Sequence, residues 1–184
     1  MDNRDYKKCD HGLVIVYTGN GKGKTTAALG LCIRGAGHGN KISIIQFIKS
    51  NWPYGELEGL KRLEPEVKIK TLGAGCIGLP GDNKPIEEHQ AAAQKAYLRS
   101  LEVIEKNEDD TVVLDEINTA IGLELITVDE LMRLLDKRPA KMNLVLTGRD
   151  APKELIDRAD LVTEMKEIKH PFQDGYLGKK GIDY

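Results

Sequence analysis

The sequence contains little that would place it in several large classes of protein. Its three cysteines, Cys9, Cys32 and Cys76, are odd in number and form no Cys-x-x-Cys pair, which disfavours a disulfide framework or a structural zinc site. No apolar run approaches the roughly 20 residues that a membrane-spanning helix needs, and the amino terminus is charged rather than signal-like. A net charge of −2 provides no general basic field for nucleic acid. We therefore expect a protein of the reducing cytoplasm with no membrane or nucleic-acid partner.

Short apolar runs alternate with amphipathic segments along most of the chain. Apolar runs predict strands at about 13–17, 41–48, 67–72, 111–116, 143–147 and 161–165. The segments between them predict helices at about 24–36, 56–63, 85–104, 128–135 and 152–158, the first ending in glycines that favour a left-handed cap. This alternation predicts one α/β domain with a mostly parallel sheet and helices on both faces.

A glycine-rich loop lies between the first predicted strand and the first predicted helix. Residues 18–26 have the sequence TGNGKGKTT, a variant of the phosphate-loop pattern G-x-x-x-x-G-K-[ST] with Thr18 in place of the first glycine. Glycines let backbone N–H groups turn towards one centre, and the helix amino terminus adds partial positive charge. Lys24 supplies a mobile cation and Thr25 a hydroxyl suited to Mg²⁺. The loop predicts capture of a nucleoside triphosphate; the alternative is a plain glycine turn.

A pair of carboxylates ends the fourth predicted strand. Residues 111–116 read TVVLDE, about ninety residues after the glycine-rich loop, which is the Walker-B arrangement. Asp115 or Glu116 is then expected to hold Mg²⁺ directly or through water, because this hard cation prefers oxygen ligands. The alternative is an Asp-Glu pair that only caps the next segment. Asn118 lies close by and either hydrogen-bonds a ligand or fixes the turn.

Further polar residues follow the predicted strands at the edge where open α/β sheets bind ligands. Gln46 and Lys49 lie at the carboxyl end of the second strand, and Gln46 is either a ligand contact or a strand-end hydrogen bonder. Arg149 follows the fifth strand and either reaches a phosphate or carboxylate or pairs with Asp150 or Asp157. No Ser-His-Asp or Cys-His arrangement can be assigned from spacing.

Several of these stretches together resemble one family, the P-loop ATP:corrinoid adenosyltransferases. They are YTGNGKGKTTAA (17–28), GHG (37–39), IQFIK (45–49), LDE (114–116), TGR (147–149), KHPF (169–172) and GIDY (181–184). The similarity extends from about Gly12 to Tyr184 and implies a RecA-like P-loop NTPase fold over residues 12–184. Residues 1–11 are polar and charged, and we expect them to form a flexible arm.

The resemblance implies a reaction and a set of site residues. The family transfers the 5′-deoxyadenosyl group of ATP to the Co(I) centre of a corrinoid and releases triphosphate, in adenosylcobalamin biosynthesis or salvage. It implies Mg²⁺ held by Thr25, Asp115 and Glu116, and a homodimer with a possible reductase as electron donor. Arg34, otherwise a solvated residue or a contact to a neighbouring subunit, would contact the nucleotide. The residues implied in binding ATP are Gly19, Asn20, Gly21, Lys22, Gly23, Lys24, Thr25, Thr26 and Arg34.

One departure concerns the corrinoid. Family members commonly carry a Phe and a Trp, two residues apart, that displace the lower axial ligand of cobalt, and these positions fall on Cys76 and Gly78 here. The aromatic wedge is absent or is supplied by Trp52, Tyr54 or Phe172. A corrinoid that lacks the nucleotide loop, such as cobyrinic acid a,c-diamide, would need no such displacement.

Two other functions remain as alternatives at this point. The first is a different P-loop ATPase or phosphotransferase, which would release ADP because attack would fall on phosphorus. The second is a non-catalytic, ATP-gated carrier that delivers or senses a cofactor. Fold alone does not distinguish these functions.

Overall fold

The computed structural model describes residues 7–50, 52–77 and 82–184. Residues 1–6 of the expected arm and Gly78, one of the two positions that correspond to the family aromatics, therefore lie outside the described residues. In the described part of the chain, no helix is long and apolar enough to cross a membrane.

Six strands form one sheet in which all neighbouring pairs are parallel. The strands are β1 (Val14–Thr18), β2 (Ile42–Gln46), β3 (Val67–Thr71), β4 (Thr111–Asp115), β5 (Asn143–Thr147) and β6 (Leu161–Glu164). Their spatial order is β3-β2-β4-β5-β1-β6. Because every strand runs the same way, all carboxyl ends meet at one edge, as the alternating pattern predicted.

The helices connect successive strands. They are α1 (Lys24–Ala36), α2 (Gly55–Leu60), α3 (Ile86–Lys106), α4 (Ile117–Gly122), α5 (Val128–Lys137) and α6 (Lys153–Arg158), with short 3₁₀ turns at Lys61–Leu63 and Pro171–Asp174. The prediction of a left-handed cap at the end of α1 is wrong for Gly37, whose φ is −62°. Its N–H still bonds to Ile33 O, and the left-handed glycine follows at Gly39, with a φ of 76°. Helix α4 was not predicted.

Side chains alternate between two apolar layers along the central strands. On β4, Val112 and Leu114 pack in the layer that contains residues of α3 and α5, whereas Val113 packs in the layer that contains Ala28 and Cys32 of α1. Helices therefore cover both faces of the sheet, as predicted. The two layers hold the strands rigidly and leave the carboxyl edge free to carry polar loops.

Candidate functional site

The phosphate loop, α1 and the end of β4 meet at one cleft on the carboxyl edge of the sheet. This cleft has a volume of about 520 Å³. Residues 22–26 of the loop and helix start line it, together with Lys49, Glu56, Glu116 and residues 181–184. The glycine-rich loop and the Walker-B carboxylates, separate in the sequence, are therefore brought together as predicted.

Lys24 lies at the base of the cleft and is almost fully buried, with 8% of its surface exposed. Its ammonium donates to Gly19 O at 2.7 Å and to Gly21 O at 2.8 Å. Burial lowers the pKa of this lysine, and the nearby Glu116 carboxylate opposes that effect. The Lys24 side chain thus crosses its own loop, and its ammonium group can bind an anion in the cleft.

The first half of the loop is anchored to the chain that follows β6. Gly21 N–H donates to Met165 O at 2.7 Å, and Asn20 Oδ1 accepts from Glu167 N at 3.2 Å. Gly19 has a φ of 92°, and a Cβ added there would lie 2.5 Å from Met165 O, so both conformation and packing require glycine. In this conformation Gly19, Asn20 and Gly21 shape the loop, and residues 22–26 face the cleft.

Asp115 is buried, with 1% exposure, and is surrounded by donors. Its Oδ1 accepts from the hydroxyls of Thr25 and Thr147, each at 2.8 Å. Its Oδ2 accepts from Gln46 Nε2 at 3.1 Å and lies 3.7 Å from Lys49 Nζ. Because Thr25 donates its proton to Asp115, the lone pairs of its oxygen remain available for a cation. Asp115 is therefore placed to orient Thr25.

Of the two Walker-B carboxylates, Glu116 is the one that lines the cleft. Its backbone is left-handed, with a φ of 63°, which is uncommon for a residue other than glycine. Two bonds hold it there, since its N–H donates to Thr147 Oγ1 at 2.9 Å and its carboxylate accepts from the Thr119 hydroxyl. Burial raises the pKa of Glu116, and the neighbouring Asp115 raises it further.

These oxygens fit the coordination chemistry of Mg²⁺. The Thr25 hydroxyl oxygen and the Glu116 carboxylate both border the cleft, and Asp115 supports Thr25 from behind. Gly23, which precedes α1, adopts a φ of 117° and presents no side chain to the same space. A hard cation that keeps several waters and shares phosphate oxygens suits such a site.

The remaining predicted contacts are distributed differently. Gln46 is fully buried, and its amide also accepts from Thr71 Oγ1 at 2.7 Å, so it lies behind the cleft rather than in it. Asn118 is fully buried as well, and neither its Oδ1 nor its Nδ2 has a hydrogen-bond partner among the described residues. It packs against Gly148, where an added Cβ would lie 2.9 Å from Asn118 Cβ.

The two predicted arginines lie at different distances from the loop. Arg149 is exposed just after the end of β5. Burial is the main cause that lowers the pKa of Lys24, and the positive charge of Arg149 lowers it further. Asp157, one proposed partner of Arg149, bonds to Lys153 instead. Arg34 follows Lys24 by ten residues on α1, which is about 15 Å at the rise of an α-helix. The structure does not bring Arg34 into the cleft of its own chain.

Lys49 is a cleft residue to which sequence reasoning assigned no role. Its ammonium bonds to Glu56 Oε1 at 2.6 Å and lies 5.0 Å from the centre of the Tyr54 ring. Burial alone would lower the pKa of Lys49, but Asp115 and Glu56 raise it above its ordinary value. Its position directly after a buried strand was the available signal.

The carboxyl-terminal segment also contributes to the cleft. Asp183 Oδ1 bonds to Lys22 Nζ at 2.6 Å, and this bond holds the pKa of Asp183 below its usual range. Asp183 Oδ2 accepts from Lys179 N at 2.7 Å. Of the aromatic candidates, Tyr54 is engaged with Lys49, whereas Trp52 and Phe172 are exposed, as is Cys76.

Comparison with known proteins gives consistent matches over nearly the whole chain. A family model described as ATP:corrinoid adenosyltransferase BtuR/CobO/CobP matches residues 10–184. The corrinoid adenosyltransferase of Escherichia coli K12 is 35% identical over 176 residues, covering 95% of this chain and 87% of that protein. The corrinoid adenosyltransferase of a Sinorhizobium species is 39% identical over 180 residues, covering 97% of this chain and 83% of that protein.

Solved structures match at the level of the fold. The flagellar accessory protein FlaH of Methanocaldococcus jannaschii superposes with a TM-score of 0.55 and 14% identity, covering 84% of this chain and 71% of that chain. Together with the parallel sheet and the phosphate loop, this likeness confirms the predicted RecA-like α/β fold.

Proposed function

The chain belongs to the ATP:corrinoid adenosyltransferase family, and we propose that the cleft at its carboxyl edge is where ATP donates its adenosyl group to a corrinoid. The protein is a transferase that adenosylates a corrinoid with ATP. We locate the ATP site in this cleft because loop residues 22–26, Lys49 and Glu116 all line it. A phosphate chain and its cation would find both halves of their binding site there.

The reaction requires that cobalt be aligned with C5′ of ATP and that the negative charge on the leaving triphosphate be stabilised. Reduced cobalt is itself a strong nucleophile that attacks C5′ of ATP, and the triphosphate leaves with the electron pair, so no protein base is needed. Lys24 and the amide groups at the start of α1 would stabilise the negative charge that builds on the leaving triphosphate, which the position of Lys24 on the loop supports. The cleft walls would hold the two reactants in line.

We assign the proposed magnesium site to Thr25 and Glu116, with Asp115 as the residue that orients Thr25. When bound, Mg²⁺ would neutralise part of the triphosphate charge. This assignment rests on the free lone pairs of Thr25 and on the carboxylate of Glu116 at the cleft. Asn118, Gln46 and Arg149 are assigned no direct contact with ATP.

The reaction is tested by a product assay. The protein is incubated with ATP, Mg²⁺ and chemically reduced cob(I)alamin in the dark without oxygen, and the light-sensitive adenosyl-cobalt spectrum is followed. We expect adenosylated corrinoid with one triphosphate released per turnover. Release of ADP without a cobalt–carbon bond would refute adenosyl transfer and favour a phosphoryl-transfer enzyme.

We propose that corrinoids lacking the nucleotide loop are the preferred substrates. The position of the family Phe is an exposed Cys76, which cannot act as an aromatic wedge against a lower axial ligand. The comparison is kcat/KM for cob(I)yrinic acid a,c-diamide against cob(I)alamin. A higher value for cob(I)alamin would contradict this preference.

We further propose that the protein is a homodimer of the cytoplasm that receives electrons from a reductase. Edge strand β6 exposes Leu161 and Val162, and the chain after it exposes Ile168, Phe172 and Leu177. Such an apolar edge is typical of an association surface. Light scattering on the purified protein measures its mass, and a monomer at micromolar concentration would contradict the dimer.

A further inference from the structure

Four polar side chains, one from each of four neighbouring strands, form a hydrogen-bonded row behind the cleft. Thr71 of β3 donates to Gln46 Oε1 at 2.7 Å, and Gln46 Nε2 of β2 donates to Asp115 Oδ2 at 3.1 Å. Thr147 of β5 donates to Asp115 Oδ1 at 2.8 Å. Gln46 is the register partner of both Thr71 and Asp115, so the row follows directly from the alignment of the strands.

Gln46 cannot exchange its partners within this row. Its side chain has no exposed surface, so water cannot replace either hydrogen bond. If the amide were turned over, its oxygen would face the Asp115 carboxylate and meet like charge. The negative charge of Asp115 therefore holds the amide group with its nitrogen towards β4, and Thr71 satisfies the oxygen on the other side.

This arrangement determines how Asp115 presents its two oxygens. With Oδ2 occupied by Gln46, the hydroxyls of Thr25 and Thr147 share Oδ1. Lys49 lies 3.7 Å from Oδ2, an ion-pair distance that is too long for a hydrogen bond, so Gln46 at 3.1 Å is the residue that fixes the direction of this oxygen. If the Asp115 carboxylate rotated, Oδ1 would move, and the Thr25 hydroxyl that donates to it would change direction.

We infer that Gln46 is a positioning residue for the metal-nucleotide site: by holding Asp115, it fixes the direction of the Thr25 hydroxyl. This inference rests on the proposed function, in which Thr25 meets the cation that accompanies ATP. Groups that bond directly to metal ligands typically contribute 10- to 100-fold to metal affinity or activity, and we expect the low end of that range for Gln46, which acts through Asp115. The effect of Gln46 should therefore appear as a changed demand for Mg²⁺, since the residue does not touch the cleft.

The test compares ATP binding by calorimetry in EDTA and across a range of Mg²⁺ concentrations. Gln46→Met removes both hydrogen bonds with little change in volume. We expect its ATP affinity in EDTA to stay within about twofold of the unaltered protein, and the Mg²⁺ concentration for half-maximal enhancement to rise about tenfold. Excess Mg²⁺ should restore kcat. Equal loss of ATP affinity with and without Mg²⁺, or an unchanged Mg²⁺ requirement, would overturn the inference.

Two further variants complete the design. Ser43→Ala is the matched control, because Ser43 is also a buried polar residue of β2 but bonds to Asp109 at the opposite end of the strand. It should leave the Mg²⁺ requirement unchanged. Thr71→Val leaves the bond between Gln46 and Asp115 in place but removes its support, and should raise the requirement by less than Gln46→Met does. If Gln46→Met does not fold, Thr71→Val decides, and no shift there overturns the inference.

Failure of the proposed function would look different. In that case the unaltered protein itself would form no adenosyl-cobalt product, whether or not Mg²⁺ enhances its ATP binding. If Mg²⁺ enhances ATP binding by the unaltered protein and the adenosyl-cobalt product forms, an unchanged Mg²⁺ requirement in Gln46→Met would refute only the role of Gln46.

Discussion

Replacing Thr147 by valine should destabilise the protein strongly although the two side chains have nearly the same shape. Thr147 is fully buried, and its hydroxyl serves both residues of the Walker-B pair. It donates to Asp115 Oδ1 at 2.8 Å and accepts from Glu116 N–H at 2.9 Å. Valine would remove both bonds at once and leave the backbone of Glu116, which is left-handed, without its support.

The expected cost follows from these two bonds. A hydrogen bond to a charged group contributes about 1.5–3 kcal/mol, and a buried N–H left unpaired costs about 1–3 kcal/mol. The methyl group of valine recovers about 1 kcal/mol through its greater apolar burial. The net loss is about 3 kcal/mol in the free energy of unfolding, or about 6–12 °C in Tm for a chain of this size.

Urea denaturation followed by circular dichroism measures this loss. Thr147→Ser keeps the hydroxyl and should lose much less. Thr111→Val is the matched control, because Thr111 on β4 is half-buried at the opposite end of the sheet and accepts only a long bond, 3.3 Å, from Asn143. A loss below about 1 kcal/mol for Thr147→Val, or a loss no larger than that of Thr111→Val, would refute the reasoning.

Three other predictions follow from the site and from a helix cap. Lys24→Ala should abolish ATP-dependent adenosylation while the circular dichroism spectrum stays unchanged, because the variant lacks the buried cation at the phosphate loop. Asp183→Asn should tighten ATP binding about two- to fivefold, since it removes a partly exposed negative charge that occupies Lys22. Glu130→Gln should make stability fall less steeply at acid pH, because burial raises the pKa of Glu130 but its bonds to the Thr127 cap and to Gln94 outweigh burial and lower that pKa in the folded state. Its stabilisation is present above the ordinary value of 4.5 and is lost as pH falls through the folded pKa.

Each of these predictions has a result that would contradict it. Adenosylation retained by Lys24→Ala would show that the loop is not the triphosphate site. Weaker ATP binding by Asp183→Asn would mean that the carboxylate holds Lys22 in its working position rather than competing with phosphate. For Glu130, urea denaturation between about pH 7 and pH 3 would contradict the cap if both proteins lost stability in parallel.

Structural features that depend on residues close together in the chain could be predicted from the sequence alone. Residues 143–147 were predicted as a strand and form one with those bounds, because a continuous apolar run between turns is a local signal. The glycine-rich loop and the two carboxylates after β4 were recognised for the same reason, since both are short motifs with defined residue types. Helix α4 was missed because it begins directly after the left-handed Glu116 at the end of a strand, and no local pattern indicates that start.

The tertiary structure alone decided which of the polar candidates share a site. Strand order β3-β2-β4-β5-β1-β6 places Gln46 beside Asp115, 69 residues away, and decides between the two predicted roles of Gln46 in favour of the strand-end hydrogen bond. The path of the chain after β6 brings Asp183 to Lys22, 161 residues apart. Periodicity and turn chemistry act between near neighbours in the chain, whereas these contacts are set by crossover connections that carry the strands past one another.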